Sequence, residues 1–197
     1  MRINQSTDRA RSTAARRDQI VAATITVLAE RGYAATSYDA ICEVAGLSSK
    51  RLISYHFSTK DELLAEVLRR VTADAAEAMR PAIEAADELP GKLAAYIRSN
   101  VEFIAARPDH VRAVQQIVFG GAQVPSEEAD SALSRLVALF ESGQQAGVFR
   151  SFDSLLMAVT LRAAIDAVAG RLIGGADAAD CARELIETFD RATRVER

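Results

Sequence analysis

The chain has 197 residues, about half of them apolar and a quarter charged, with four prolines and no tryptophan, which fits one or two compact globular units rich in good helix formers. Its two cysteines, Cys42 and Cys181, lie far apart without metal-ligand spacing, which excludes a disulfide scaffold. The net charge of −3 is uneven: residues 1–70 hold eleven Lys/Arg against eight Asp/Glu and residues 71–197 hold thirteen against nineteen, so a nucleic-acid face is expected only toward the amino terminus.

Residues 1–15 are polar and aperiodic and read as a flexible basic arm. A first helix follows, with Ile20, Thr24, Val27 and Leu28 on one face, Val21 and Ala23 beside them, and Gly32 at its end. Thr36 and Ser37 are both N-cap candidates for a second helix, and Thr36 with Asp39 imitates a capping box. That helix is expected to bury Ile41, Val44 and Ala45 and to stop at Gly46. Ser48 can cap a short third helix running to about Tyr55. Thr59 opens a fourth, with Glu62 at the capping-box position and Leu63, Leu64, Val67, Leu68 and Val71 on its core side.

Farther along, Pro81 is expected to break or kink the chain, and Pro90-Gly91 marks a boundary before a helix at about 91–105. Another helix starts at Pro108-Asp109 and ends at Gly120-Gly121. Residues 122–126 read as a loop, and Ser126 begins a helix that ends near Gly147. Two more are expected at about 152–174 and 177–193. No alternating β pattern appears, so the fold class is all-α with about nine helices.

The most informative segment is residues 32–64. A short helix, a glycine tolerant of positive φ, an apolar Leu47 in the turn and a second short helix opening on Ser49, Lys50 and Arg51 make a helix-turn-helix. Free N–H groups and cationic side chains at such a helix start suit phosphates, and arginine is the commonest reader of guanine in the major groove. Gly32-Tyr33, Ala35-Thr36-Ser37, Ile41, Ala45-Gly46-Leu47-Ser48, Tyr55-His56-Phe57 and Lys60-Asp61-Glu62-Leu63 together resemble the DNA-binding signature of the tetracycline-repressor (TetR) family. Between Gly46 and Phe57 there is one residue more than that family's usual pattern.

The resemblance implies a three-helix DNA-binding domain at residues 16–60. It also implies a six-helix effector-binding and dimerisation domain at 61–197, and a dimer that binds a palindromic operator in double-stranded DNA until a small-molecule effector releases it. By position in the motif, Ser48, Ser49, Lys50, Arg51 and Ser54 become candidates for the DNA face and its base edges. Thr36, Ser37, Tyr38, Tyr55, His56 and Lys60 become candidates for phosphate contacts. The competing reading is local packing for Tyr38 and His56 and a solvated first-turn lysine for Lys60. A lysine at a helix N-terminus is unfavourable without a partner, which a phosphate would supply.

In the later helices, Ala163, Ala167, Gly170 and Gly174 form a smooth stripe, and Leu185, Ile186 and Phe189 share a face of the last helix. By the resemblance these are expected at a homodimer interface, against the alternative of packing within one subunit. Tyr96, Asn100, Phe103, Gln115, Gln116, Phe119 and Phe140 offer apolar walls with a few polar groups suited to an effector pocket. Arg162 and Asp166, four apart on an apolar helix, read as an ion pair or as ligand contacts.

No phosphate loop, nucleophile elbow or zinc-protease motif occurs, so no catalytic residue, cofactor or metal is expected. Cys42 and Cys181 read as small buried apolar residues. The first twenty residues carry five arginines and no apolar core, and the stretch 155–173 is interrupted by Arg162, Asp166 and Arg171. The default is therefore a cytoplasmic protein without a membrane span. The readings in competition are a helical enzyme or carrier, and a DNA-binding activator or nucleoid-type protein without an effector.

Overall fold

The computed structural model describes residues 3–121 and 127–195, with side chains described for 11–121 and 131–195. Among these the helices are α1 (Ile3–Arg31), α2 (Tyr38–Ala45), α3 (Lys50–His56), α4 (Lys60–Glu84), α5 (Leu89–Ala106), α6 (Pro108–Phe119), α7 (Glu127–Gln145), α8 (Ser154–Ile173) and α9 (Ala178–Thr193). The fold is all-α, as expected; the β structure among the described residues is an isolated bridge between Phe149 and Arg194. The expected loop at 122–126, with Ser126 as a helix start, lies outside the described residues.

The helices divide into two compact units, Met1–Val71 with Asp109–Pro125, and Thr72–Pro108 with Ser126–Arg197. The expected boundary at residue 60 is therefore displaced. The first turns of α4 bury Leu63, Leu64 and Val67 in the first unit, and α6 also belongs there.

In the first unit, the apolar face read for α1 is the buried one. Ile20, Thr24, Val27 and Leu28 are sealed from solvent, and the Thr24 hydroxyl donates to the Ile20 carbonyl at 2.8 Å. The expected flexible arm is a helix from Ile3 onward, continuous with this packed part. Residues 3–15 contain no glycine or proline, and alanine and arginine extend a helix readily. The stretch looked aperiodic because residues 11–15 bury no face.

Ser37, rather than Thr36, caps α2: its hydroxyl accepts from the Ala40 N–H at 3.2 Å. Thr36 is buried and donates its hydroxyl to the Gly32 carbonyl at 2.8 Å, so no Thr36–Asp39 box forms. Val44 is exposed, in contrast to Ile41 and Ala45. Gly46 ends α2 with φ 64°, a conformation an L side chain would resist, and returns the chain through a Leu47 N–H bond to the Cys42 carbonyl at 2.9 Å. At the start of α4 the Thr59 half of the expected capping box forms, and the Glu62 carboxylate reaches the N–H one residue before the one that the box prescribes. The Glu62 N–H donates to Thr59 Oγ1 at 3.0 Å, and the Ser58 N–H donates to Glu62 Oε2 at 2.7 Å.

The second unit takes the rest of α4 with α5, α7, α8 and α9. Pro81 does not end α4, which runs on to Glu84. Proline removes one N–H, and only one turn remains to tolerate the loss. α5 starts earlier than expected, at Leu89, with Pro90 in its first turn. Its Leu93, Ile97, Val101 and Ile104 form the centre of the unit's core, with Leu136 and Phe140 of α7 and Leu161 and Ile165 of α8 also buried. Phe140 meets the rings of Phe149 and Phe152 edge-on at 6.1 and 5.4 Å. Gly143 leaves the Phe149 ring its place, since a Cβ there would lie 1.9 Å from the ring.

Asp153 caps α8, its carboxylate accepting from the Leu156 N–H at 2.9 Å. Asp153→Ala is expected to cost about 1 kcal/mol, read as a lower denaturant midpoint with an unchanged slope. An unaltered midpoint would show that the cap contributes nothing.

Candidate nucleic-acid interface and small-molecule cavity

The interface begins with the turn between α2 and α3. Residues 46–49 separate the two helices, and Ser49 caps α3 in place of the expected Ser48, accepting from the Arg51 N–H at 3.1 Å. α3 thus starts at Lys50, so the additional residue noted in the sequence falls in this region without disturbing the buried positions Ile53 and Phe57. One of the N–H groups expected to be free for phosphate is taken by this cap.

With Ile53 facing inward, the 3.6-residue repeat sets Arg51 and Tyr55 on the opposite side and Ser54 about a quarter turn round from it. All three are exposed, Tyr55 at 75%. Among the described residues Arg51 has no ion pair or side-chain hydrogen bond. Lys50 is also exposed but held at 3.0 Å by Asp39 of α2, so reading a base would require breaking that pair. Ser48 and Ser49 are exposed beside it, as is Ser37 at the start of α2. Tyr38 is half-buried, and burial followed by the Glu62 charge raises its phenol pKa. Thr36 has no free hydroxyl for a phosphate, because burial and the Gly32 carbonyl already occupy it.

Lys60 has a partner that the sequence reading did not foresee. Its ammonium sits 4.5 Å from the centre of the Tyr33 ring, which offsets the penalty of a cation at a helix start.

Arg17 of α1 was also missed. It donates to the His56 carbonyl at 2.9 Å and to Glu66 at 3.2 Å, and lies 4.2 Å above the Phe57 ring. It therefore ties α1 to the end of α3 and to α4. The signal was present in the sequence: Arg17 stands three, four and seven residues before Ile20, Val21 and Thr24, on the buried face of α1. Gln19 adds a bond from its amide to the Ala45 carbonyl at 2.6 Å, and Arg31 forks onto Glu43 at 3.0 and 3.1 Å.

Burial, with Arg17 and Arg16 nearby, holds the His56 imidazole below its ordinary value of 6.5. The unfolded chain then binds the proton first as pH falls, so stability is lost from about pH 6.5 downward through the lower folded value and is unaffected above it. His56→Gln is expected to flatten the fall in denaturant midpoint between pH 7.5 and 5.5. Parallel wild-type and variant curves would contradict this. At pH 7 the ring is neutral, a weaker phosphate partner than an imidazolium.

The second unit contains a cavity of about 380 Å³ walled by α4, α5, α7 and α8. Of the residues proposed for a pocket, Tyr96, Asn100 and Arg162 line it. Arg162 donates to the Tyr96 hydroxyl over a long 3.5 Å, and the Asn100 amide donates to the Tyr96 carbonyl at 2.9 Å.

The other expected pocket residues do not line it. Phe140 is core, Phe103 is half-buried elsewhere and Asp166 is exposed. Gln115, Gln116 and Phe119 belong to α6 in the first unit, where Gln116 accepts from the Tyr33 N–H at 3.0 Å and Phe119 is 82% exposed. Arg162 and Asp166 are not within ion-pair distance among the described residues. The missed lining residues are mainly on α4 and α7, including Met79, Arg80, Arg135 and Leu139.

Ala163, Ala167, Gly170 and Gly174 lie exposed along α8, with Leu155, Leu156 and Val159 exposed on the same helix. Phe189, expected at a dimer interface, is instead buried within the chain. Leu185 packs partly on the cluster of Val101, Cys181 and Ala182, and Ile186 is half-buried. Cys181 is buried as read, whereas Cys42 is only half-buried. Among the described residues no helix is long and apolar enough to cross a membrane.

A short helix-turn-helix that presents Arg51, unpaired among the described residues, on its outer face is an arrangement suited to nucleic acid. Residues 20–67 match the family model for bacterial regulatory proteins of the tetR family. A TetR-like transcriptional regulator from Rhodococcus sp. RHA1 is 27% identical, covering 88% of this chain and 92% of that one, with a TM-score of 0.67. A Shewanella sp. PV-4 protein assigned as a tetR family transcription regulator has a TM-score of 0.77 at 18% identity, over 92% of this chain and 99% of that one. A Saccharomonospora viridis protein solved in complex with choline has a TM-score of 0.73 at 21% identity, over 93% and 100%. No curated protein matches the chain. Residues 20–67 thus carry the DNA-binding domain of the tetR family of bacterial regulatory proteins, and the chain as a whole shares the fold of these solved regulators.

Proposed function

We propose that the chain is a ligand-responsive repressor that binds a palindromic operator as a homodimer in the cytoplasm and leaves it when a small molecule enters the second unit. The observation that carries the reading is the outer face of α3, where Arg51, Ser54 and Tyr55 stand exposed with Ile53 anchored behind them. Lys60, Ser37 and Tyr38 are positioned as phosphate contacts at its flanks, with Ser48, Ser49 and Lys50 at its start.

The exposed small-residue stripe of α8 supports close approach by a second copy, because alanines and glycines let backbones pack tightly. Such an interface should bury more than about 1,000 Å². The cavity supports an effector, and choline in the Saccharomonospora viridis structure supports the same reading. α4 supplies residues both to the first unit and to the cavity, so a ligand that shifts this helix acts on an element the DNA-binding unit shares.

Selection of bound duplexes from a random pool, followed by footprinting, tests the proposal. The expected product is a palindrome with half-sites one helical turn, about 34–36 Å, or a multiple of it apart. Uniform coverage of DNA without a preferred sequence would instead favour a nucleoid-type role.

A further inference from the structure

The cavity walls combine an apolar body with an excess of positive charge. Ala75, Ala76, Met79, Ile83, Leu136 and Leu139 form most of the surface. Arg80, Lys92, Arg135 and Arg162 also line it, against the single carboxylate of Glu84. Among the described residues none of the four cations forms an ion pair.

Arg162 is the best placed of them. It is half-buried on α8 and spends one long bond, 3.5 Å, on Tyr96. No buried side-chain nitrogen or oxygen among the described residues lacks a hydrogen-bond partner, so its remaining N–H groups face open space rather than a sealed wall. Burial works against its charge, but Tyr96 and Asp166 more than offset this, and the guanidinium stays protonated. A charged fork with free donors at the edge of an apolar chamber matches a carboxylate in geometry and sign.

We propose that the cavity takes an amphiphile with a monoanionic head such as a carboxylate, anchored on Arg162, its apolar body lying among the alanine, methionine and leucine walls. Arg80, Lys92 and Arg135 favour the same sign of ligand. This inference rests on the effector-cavity reading and assigns that cavity its ligand class.

The test is calorimetric titration of the full chain with decanoate, decanol and decyltrimethylammonium, which share a tail and differ in head charge. Decanoate is expected to bind at least about tenfold tighter than decanol, the range a charge-assisted hydrogen bond supplies, and the ammonium weakest. Arg162→Gln is expected to erase the preference for decanoate over decanol, and Arg162→Lys to keep part of it. Ala76→Trp, which fills the cavity, is expected to abolish binding of decanoate.

Equal or tighter binding of decanol or the ammonium by the wild-type chain overturns the anionic assignment while leaving the cavity as a ligand site. Decanoate binding that survives Ala76→Trp, or no binding of any probe, overturns it as well. The wild-type comparison needs no variant, so it decides the matter even where Arg162→Gln fails to fold. Release of the selected duplex by decanoate is a separate readout: binding without release supports the ligand class and counts against the repressor mechanism.

Discussion

Phe57→Ala is expected to destabilise the first unit by about 3–5 kcal/mol, the usual range for emptying a buried aromatic site. Phe57 is fully buried and closes α3 through its N–H bond to the Ile53 carbonyl at 2.9 Å. It also carries the Arg17 guanidinium over its ring at 4.2 Å, a contact adding about 0.5–1 kcal/mol or more where solvent is partly excluded. Truncation leaves a void beside a charge that then has less to rest on. DNA binding should be lost with the fold, because Arg51 and Tyr55 are held by the same short helix. Denaturant unfolding followed by circular dichroism measures the cost. Since two compact units are present, two transitions can separate, and the earlier one is expected to move. A midpoint within error of wild type would mean that α3 is held by something other than Phe57.

Arg51→Ala has the second largest expected effect and no expected cost in stability, since the side chain is exposed and unpaired among the described residues. If Arg51 reads a base, specific affinity falls by about 1–3 kcal/mol, roughly fivefold to 150-fold, while affinity for random duplex falls much less. Lys50→Ala should differ, because Lys50 is already engaged by Asp39 at 3.0 Å and its removal releases an acidic group beside the proposed DNA face. Competition binding at fixed salt, with operator and random duplexes, separates the two cases. Arg51→Ala with unchanged affinity for both duplexes would remove the outer face of α3 from recognition.

The fold was legible wherever a helix buried a regular face. The α1 positions Ile20, Thr24, Val27 and Leu28 were read correctly from spacing alone, and so were the glycine stop at Gly46 and the Thr59–Glu62 cap. Where no face is buried the pattern is silent, which is why residues 3–15 looked like a flexible arm. The helix-turn-helix was legible as a motif, but the contacts that its polar side chains make within the fold were not. Asp39 on Lys50, the Tyr33 ring under Lys60 and the Gly32 carbonyl on Thr36 are contacts between residues whose meeting depends on the turn geometry.

The cavity was the least legible feature. Amides and aromatics are its natural markers in a sequence, yet Gln116 is used on Tyr33 and Phe140 fills the core. An empty space is created where side chains are small, here at Ala75, Ala76 and Ala132. Nothing in one sequence distinguishes an alanine beside a void from an alanine beside a neighbour.

The membership of α6 in the first unit has a bearing on biosynthesis. Tyr33 obtains its N–H partner from Gln116, and its ring lies where a side chain on residue 120 would otherwise stand. The head of the protein therefore stays unfinished as it leaves the ribosome, until some fifty further residues have been translated. At about 5–20 residues per second that interval is about 2–10 s. During it the nascent α1–α3 segment lacks its last stabilising helix, and a chain cut after Val71 would never acquire it.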